Sequence, residues 1–148
     1  MAVEKNIEAF LGLDLPGSKV VVGDGPARPA LESRFPEAHF LGARFGEDLA
    51  AAYAEADVFV FPSLTDTFGL VIVEALACGT PVAAFPVTGP KDVIDGAPVG
   101  ALDHDLAAAA IAALGIDRDA CRRFAEGFSW RRCAEILLER LAPIERAA

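Results

Sequence analysis

The sequence predicts an α/β domain whose parallel sheet is covered by helices on both faces, and three observations carry that prediction. Short β-branched apolar runs alternate with helical patterns along the whole chain, the rhythm of repeated βα units. The runs are apolar at successive positions, as strands buried on two faces require. Glycine, proline and acidic residues gather in the segments that follow the strands, which is where ligands sit in such folds.

In chain order, helix-period spacing marks Glu4 to Leu13, and the run Lys19 to Val22 reads as the first visible strand. A helix over Arg28 to Phe35 leads to a strand over His39 to Leu41, and a helix over Glu47 to Ala56 leads to a strand over Val58 to Phe61, stopped by Pro62. Gly69 to Cys78 is helical, Val82 to Phe85 is a strand ended by Pro86, and Pro90 opens a short helix to Ile94. After a strand at Val99 to Leu102, helices cover Leu106 to Leu114, Arg118 to Glu126 and Ser129 to Leu141. Alanine enrichment from Ala107 to Ala113 is ordinary helix-forming composition. Asp103-His104-Asp105 places two acids at a spacing that suits a divalent cation, but acids just before a helix read as caps. Ser129 is a good N-cap for the last helix, and its stripe Trp130, Cys133, Ile136, Leu137 and Leu141 is expected to pack on the core.

At 148 residues the chain has the length of one domain, 1–148, and a 53% hydrophobic content excludes a disordered segment. A net charge of −9, with no basic cluster longer than an Arg-Arg pair, argues against nucleic acid as a partner. Any bound anion must therefore be held locally. No stretch approaches the roughly 20 apolar residues of a membrane span, and the first residues lack a signal-peptide core, so a cytoplasmic location is expected. Cys78, Cys121 and Cys133 have no metal-ligand spacing and read as small buried side chains.

The richest stretch runs from Asp66 to Val82. Glu74 is a carboxylate inside an otherwise apolar helix pattern, with no Lys or Arg within a turn, so it is expected to be satisfied by ligand hydroxyls. Asp66 precedes the helix start, and Thr67, Phe68, Gly69 and Leu70 form the turn into it. Unpaired N–H groups at a helix start favour an anion such as phosphate, and Gly69 leaves room for close approach. A simple capping role for Asp66 or Thr67 is the competing reading. Earlier in the chain, Gly23 and Gly25 shape a Gly-Asp-Gly-Pro turn, and Arg44 follows the next strand. As residues alone these are a tight turn and a solvated arginine.

Asp66, Glu74 and the segment Ala75-Leu76-Ala77-Cys78-Gly79-Thr80-Pro81-Val82 resemble the signature of the family 4 retaining glycosyltransferases of GT-B fold, in their donor-binding half. The family has Glu, seven residues, Glu; here the first acid is an aspartate. The resemblance implies a Rossmann-like domain that holds a nucleotide diphosphate sugar and needs no metal or other cofactor. It also implies roles: Glu74 on the ribose, Asp66 on the donor sugar, and the Thr67 to Leu70 turn on the diphosphate. Glu4-Lys5-Asn6 matches the end of a family motif in which Lys5 would steady the leaving diphosphate. Gly23 and Gly25 would lie near the donor phosphates and Arg44 near the base.

The strand that carries the arginine of that motif in the family would lie before Met1, so the domain is expected to lack its first, central strand, leaving a gap that local rearrangement, another polypeptide or lowered stability must answer. The amino-terminal GT-B domain, or a second chain, is the expected partner, and any membrane contact would come through it. The resulting expectation is transfer of a hexose-type sugar, with retention, to an unidentified acceptor. The alternatives are a non-catalytic nucleotide-sugar binding module or truncated remnant and, more distantly, half of a nucleotide-sugar epimerase.

Overall fold

Residues 5–141 are described by the structure, a computed structural model. Among the described residues five strands and eight helices follow in the order anticipated: α1 (Ile7–Leu11), β1 (Val20–Val22), α2 (Arg28–Arg34), β2 (His39–Gly42), α3 (Gly46–Glu55), β3 (Phe59–Phe61), α4 (Leu70–Ala77), β4 (Val82–Ala84), α5 (Pro90–Ile94), β5 (Gly100–Leu102), α6 (Leu106–Ala113), α7 (Arg118–Ala125) and α8 (Trp130–Arg140). Every strand pairing is parallel, as short strands joined by helical crossovers demand.

The strands form two sheets. β1 pairs with β2, while β3, β4 and β5 pair in that order, with Phe59 opposite Val82 and Val82 opposite Gly100. Among the described residues no strand joins β1 to β3. The α1 region links the halves instead. Leu11 packs with Val21 and Leu31 in the first half, whereas Leu15, like Val58 and Val60, packs against the cluster of Ala83, Ala109, Ala110 and Ala113 in the second. The Asn6 amide donates to the Pro62 carbonyl at 3.0 Å, and the Lys19 ammonium donates to the carbonyls of Leu11 and Leu13.

The larger sheet has two buried faces, and the period-two alternation of β4 shows how. Val82 and Ala84 enter a core with Phe61, Ile72, Leu76, Ile94, Val99 and Cys121, beneath α4, α5 and α7. Ala83 points to the other face, where Ala109, Ala110 and Ala113 of α6 approach closely because they are small. Burying a side chain such as Ile72 or Leu76 contributes about 1.5–3 kcal/mol. The helix ends follow local chemistry. Asp105 accepts from the N–H groups of Ala107 and Ala108, and Asp103 accepts from Asp105 N–H, so this acidic pair is a cap as read. Ser129 likewise accepts from Arg132 N–H.

Two packing expectations need correction. No residue of α8 is buried: Trp130 is 84% exposed, and Leu137 and Leu138 also face solvent. The apolar stripe is real, but no described element lies over it. Cys133, on the same helix, is exposed for the same reason, while Cys121 is buried and Cys78 is half-buried.

Candidate functional site

The loops that follow β3 and β4 face each other and enclose a cavity of about 610 Å³, lined by Leu64, Thr65, Asp66, Thr67, Pro86, Val87, Thr88 and Lys91. That is a volume suited to a small organic ligand. The position follows from the topology, since both loops leave the carboxyl ends of adjacent parallel strands. Gly89 keeps the loops in contact. Its φ of 92° lies in the region that favours glycine, and a side-chain carbon there would meet the Asp66 carbonyl at 3.1 Å.

Asp66 is the half-buried acid of this cavity, and Lys5 reaches it at 2.7 Å. The hydrogen bond from Lys5 is the main reason the Asp66 carboxyl titrates below the ordinary carboxylate range; burial opposes the shift, and the N–H groups of Thr67 and Phe68 add to it. Asn6 sets up the contact by adopting a left-handed conformation, φ 50°, that Asn tolerates, and by tying its amide to Pro62 just after β3. Two residues separated by 61 positions, both singled out from sequence, are thus brought together.

The turn into α4 is capped by backbone geometry alone. Gly69 is the N-cap at φ 76°, with no side-chain capping bond, so Asp66 and Thr67 are not N-caps of this helix. A side-chain carbon on Gly69 would come within 2.9 Å of Ile72, so the glycine lets the turn sit tightly over the core. Phe68 and Leu70 are exposed beside the turn, and the Phe68 ring lies 6.3 Å from that of Phe128.

Glu74 departs from its sequence reading. The helix buries Ile72, Ala75 and Leu76, and this face excludes Glu74, which is exposed and absent from the lining of the cavity. Its partner is Tyr53 at the end of α3, whose hydroxyl donates to Glu74 Oε2 at 3.3 Å. Burial of the phenol, together with the neighbouring Glu74 charge, raises the Tyr53 pKa above its ordinary value. The pattern surrounding Glu74 is apolar because α4 is packed from more than one side, not because Glu74 is enclosed. Tyr53 was missed in the sequence because a phenol inside an alanine-rich helix carries no distinctive spacing.

Gly23 and Gly25 both have positive φ, at 126° and 149°, and shape the turn after β1, where Gly25 N–H donates to the Asp24 carboxylate. Arg44 is exposed in the segment after β2. None of these three lines the cavity at Asp66. Cys78 is a poor nucleophile, its thiol pKa pushed up by burial and by Glu74 against a smaller opposing effect of Arg122. Among the described residues no group of His, Cys, Asp and Glu is arranged to hold a metal ion. No helix there is long and apolar enough to cross a membrane. Lys91, on the cavity wall, is a further charged group that the sequence reading passed over.

With this geometry in place, similarity to known proteins identifies the family. Residues 14–117 match the family described as glycosyl transferases group 1. The chain belongs to that family. It is 41% identical over 150 residues to a GDP-mannose-dependent alpha-mannosyltransferase of Mycobacterium tuberculosis, an alignment covering 93% of this chain and 39% of that protein. It is 40% identical to the sulfoquinovosyl transferase SQD2 of Arabidopsis thaliana, over 64% of this chain and 19% of the relative. The fold of this group 1 chain also matches AviGT4, a glycosyltransferase involved in avilamycin A biosynthesis, with a TM-score of 0.73 at 20% identity, covering 95% of this chain and 48% of that one. The group 1 chain thus spans less than half the length of these proteins and has the GT-B Rossmann-like architecture anticipated from its sequence.

Proposed function

We propose that this chain is the donor-binding domain of a GT-B glycosyltransferase that moves a hexose-type sugar from a nucleotide diphosphate to an acceptor, with retention at the anomeric carbon. The observation that carries the reading is the Lys5–Asp66 pair at the cavity formed by the loops after β3 and β4. In this reading Asp66 orients sugar hydroxyls, Lys5 offsets negative charge as the diphosphate leaves, and the Thr67 to Leu70 turn supports the phosphates at the start of α4. Glu74 holds the ribose hydroxyls and exchanges its bond from Tyr53 for them. Gly23 and Gly25 shape the turn nearest the phosphates, and Arg44 meets the base.

No side chain in the cavity is placed as a general base, so the chemistry rests on positioning and charge, with the leaving phosphate accepting the acceptor's proton. No metal or other cofactor takes part. The reaction is placed in the cytoplasm, and the acceptor is held by an amino-terminal domain, in the same polypeptide or in a second chain. The competing reading is a nucleotide-sugar binding module without turnover.

Titration calorimetry with GDP and UDP, followed by transfer of radiolabelled donor sugars by the full chain alone and with a separately supplied amino-terminal domain, tests this. Binding of a nucleoside diphosphate, with turnover only when the second domain is added, is the expected result. Glu74→Gln is expected to weaken that binding by about 1–3 kcal/mol, the loss of a charged hydrogen-bond acceptor. Unchanged affinity in that variant would remove Glu74 from the site.

A further inference from the structure

We infer that Lys91 is a second cation of the donor cavity, one that takes an anionic oxygen group of the nucleotide-sugar; the inference rests on the functional reading above. Lys91 lies in the first turn of α5, on the wall of the cavity that contains Asp66. From Lys5 to Lys91 the chain has six cations, Lys5, Lys19, Arg28, Arg34, Arg44 and Lys91, and four of them are engaged elsewhere. Lys5 is engaged by Asp66 at 2.7 Å. Lys19 is spent on the carbonyls of Leu11 and Leu13, Arg28 on Glu32 at 2.7 Å and Asp24 at 3.5 Å, and Arg34 on Glu8 at 2.5 Å. Of these six cations only the side chains of Arg44 and Lys91 have no hydrogen-bond or ion-pair partner among the described residues, and of the two only Lys91 borders the cavity.

An uncompensated ammonium in a cleft has a consequence for what the cleft accepts. The chain carries a net charge of −9, which repels a nucleotide anion at long range, so binding depends on local positive charge. The Lys5–Asp66 pair contributes no net charge. Lys91 therefore supplies the unbalanced positive charge of the cavity wall. The hydroxyls of Thr65, Thr67 and Thr88, exposed around it, suit a sugar bearing or adjoining that anion. A lysine, a point charge on a flexible stem, matches either a phosphate or a carboxylate.

The experiment compares Lys91→Met and Lys91→Arg with the unaltered full chain by titration calorimetry at several salt concentrations. The probes are guanosine and GDP, uridine and UDP, and UDP-glucose and UDP-glucuronate. Lys91 is exposed and its side chain has no partner among the described residues, so both variants are expected to fold, which circular dichroism checks. If the anion is the diphosphate, Lys91→Met weakens GDP or UDP at least fivefold with a shallower salt dependence, leaves the nucleoside unchanged, and Lys91→Arg restores binding. If the anion is an acidic substituent of the sugar, diphosphate affinity is kept and the preference for UDP-glucuronate over UDP-glucose is lost. Equal affinities of Lys91→Met and the unaltered chain for every probe overturn the role of Lys91 while leaving the functional reading intact. Failure of the unaltered chain to bind any nucleotide overturns both.

Discussion

At the scale of single residues, the site is organised by one ion pair whose members are far apart in sequence. Asp66 is held ionised by Lys5, so its folded-state pKa lies below the unfolded value of about 3.9. A depressed carboxylate contributes stability that is fully present above that unfolded value and is lost as pH falls through the folded one. Lys5→Met is expected to move the Asp66 titration upward, followed by carbon-detected NMR of the side-chain carboxyl; an unmoved midpoint would mean that the pair does not form in solution. Asp66 was legible from its place before the turn into α4, whereas Lys5 was legible only through the resemblance of Glu4-Lys5-Asn6 to the family motif. Glu74 was half legible. Its place on α4 was plain, but its exposure and its bond from Tyr53 depend on which helix packs beside α4, and spacing along a single element cannot supply that.

At the scale of elements, the helices and strands were readable because proline, glycine and caps punctuate each boundary. Ser129 and Asp105 act as the caps their residue types suggested. What the sequence did not disclose was where side chains on one element meet another: Lys91 lies within a short proline-started helix and resembles any surface lysine until the β4 loop is placed against the β3 loop. The contact between those loops depends on Gly89. In Gly89→Ala the methyl group meets the Asp66 carbonyl in a backbone conformation that disfavours any side chain, with strain of about 1–3 kcal/mol. The expected outcome is a lower thermal midpoint together with weaker nucleotide binding, measured by scanning calorimetry and titration. Gly96→Ala, also at positive φ but facing open space, provides the comparison: it carries the backbone strain alone and spares binding. The α8 stripe shows the opposite limit of pattern reading. Periodicity identified an apolar face correctly, yet burial needs a neighbour, and no described element supplies one.

For the whole molecule, the parallel α/β class followed from the alternation of elements, whereas the division of the described strands into two sheets depends on tertiary placement. The two-sheet arrangement then sets how the molecule opens. The half containing β3, β4 and β5 has cores on both faces of its sheet, whereas the half containing β1 and β2 relies on a small cluster around Leu11, Val21 and Leu31. Cooperative units with little buried surface open at lower free energy than the rest. Deuterium uptake is therefore expected to be faster at Val21 and Phe40 amides than at Ala83, with a separate, lower denaturant dependence; a single uptake profile across all strands would show one unit. Lys5 belongs to the segment anchored on the weaker unit, while Asp66 belongs to the stronger one. A ligand that depends on both residues would hold the two units together, slowing exchange in β1 without contacting it.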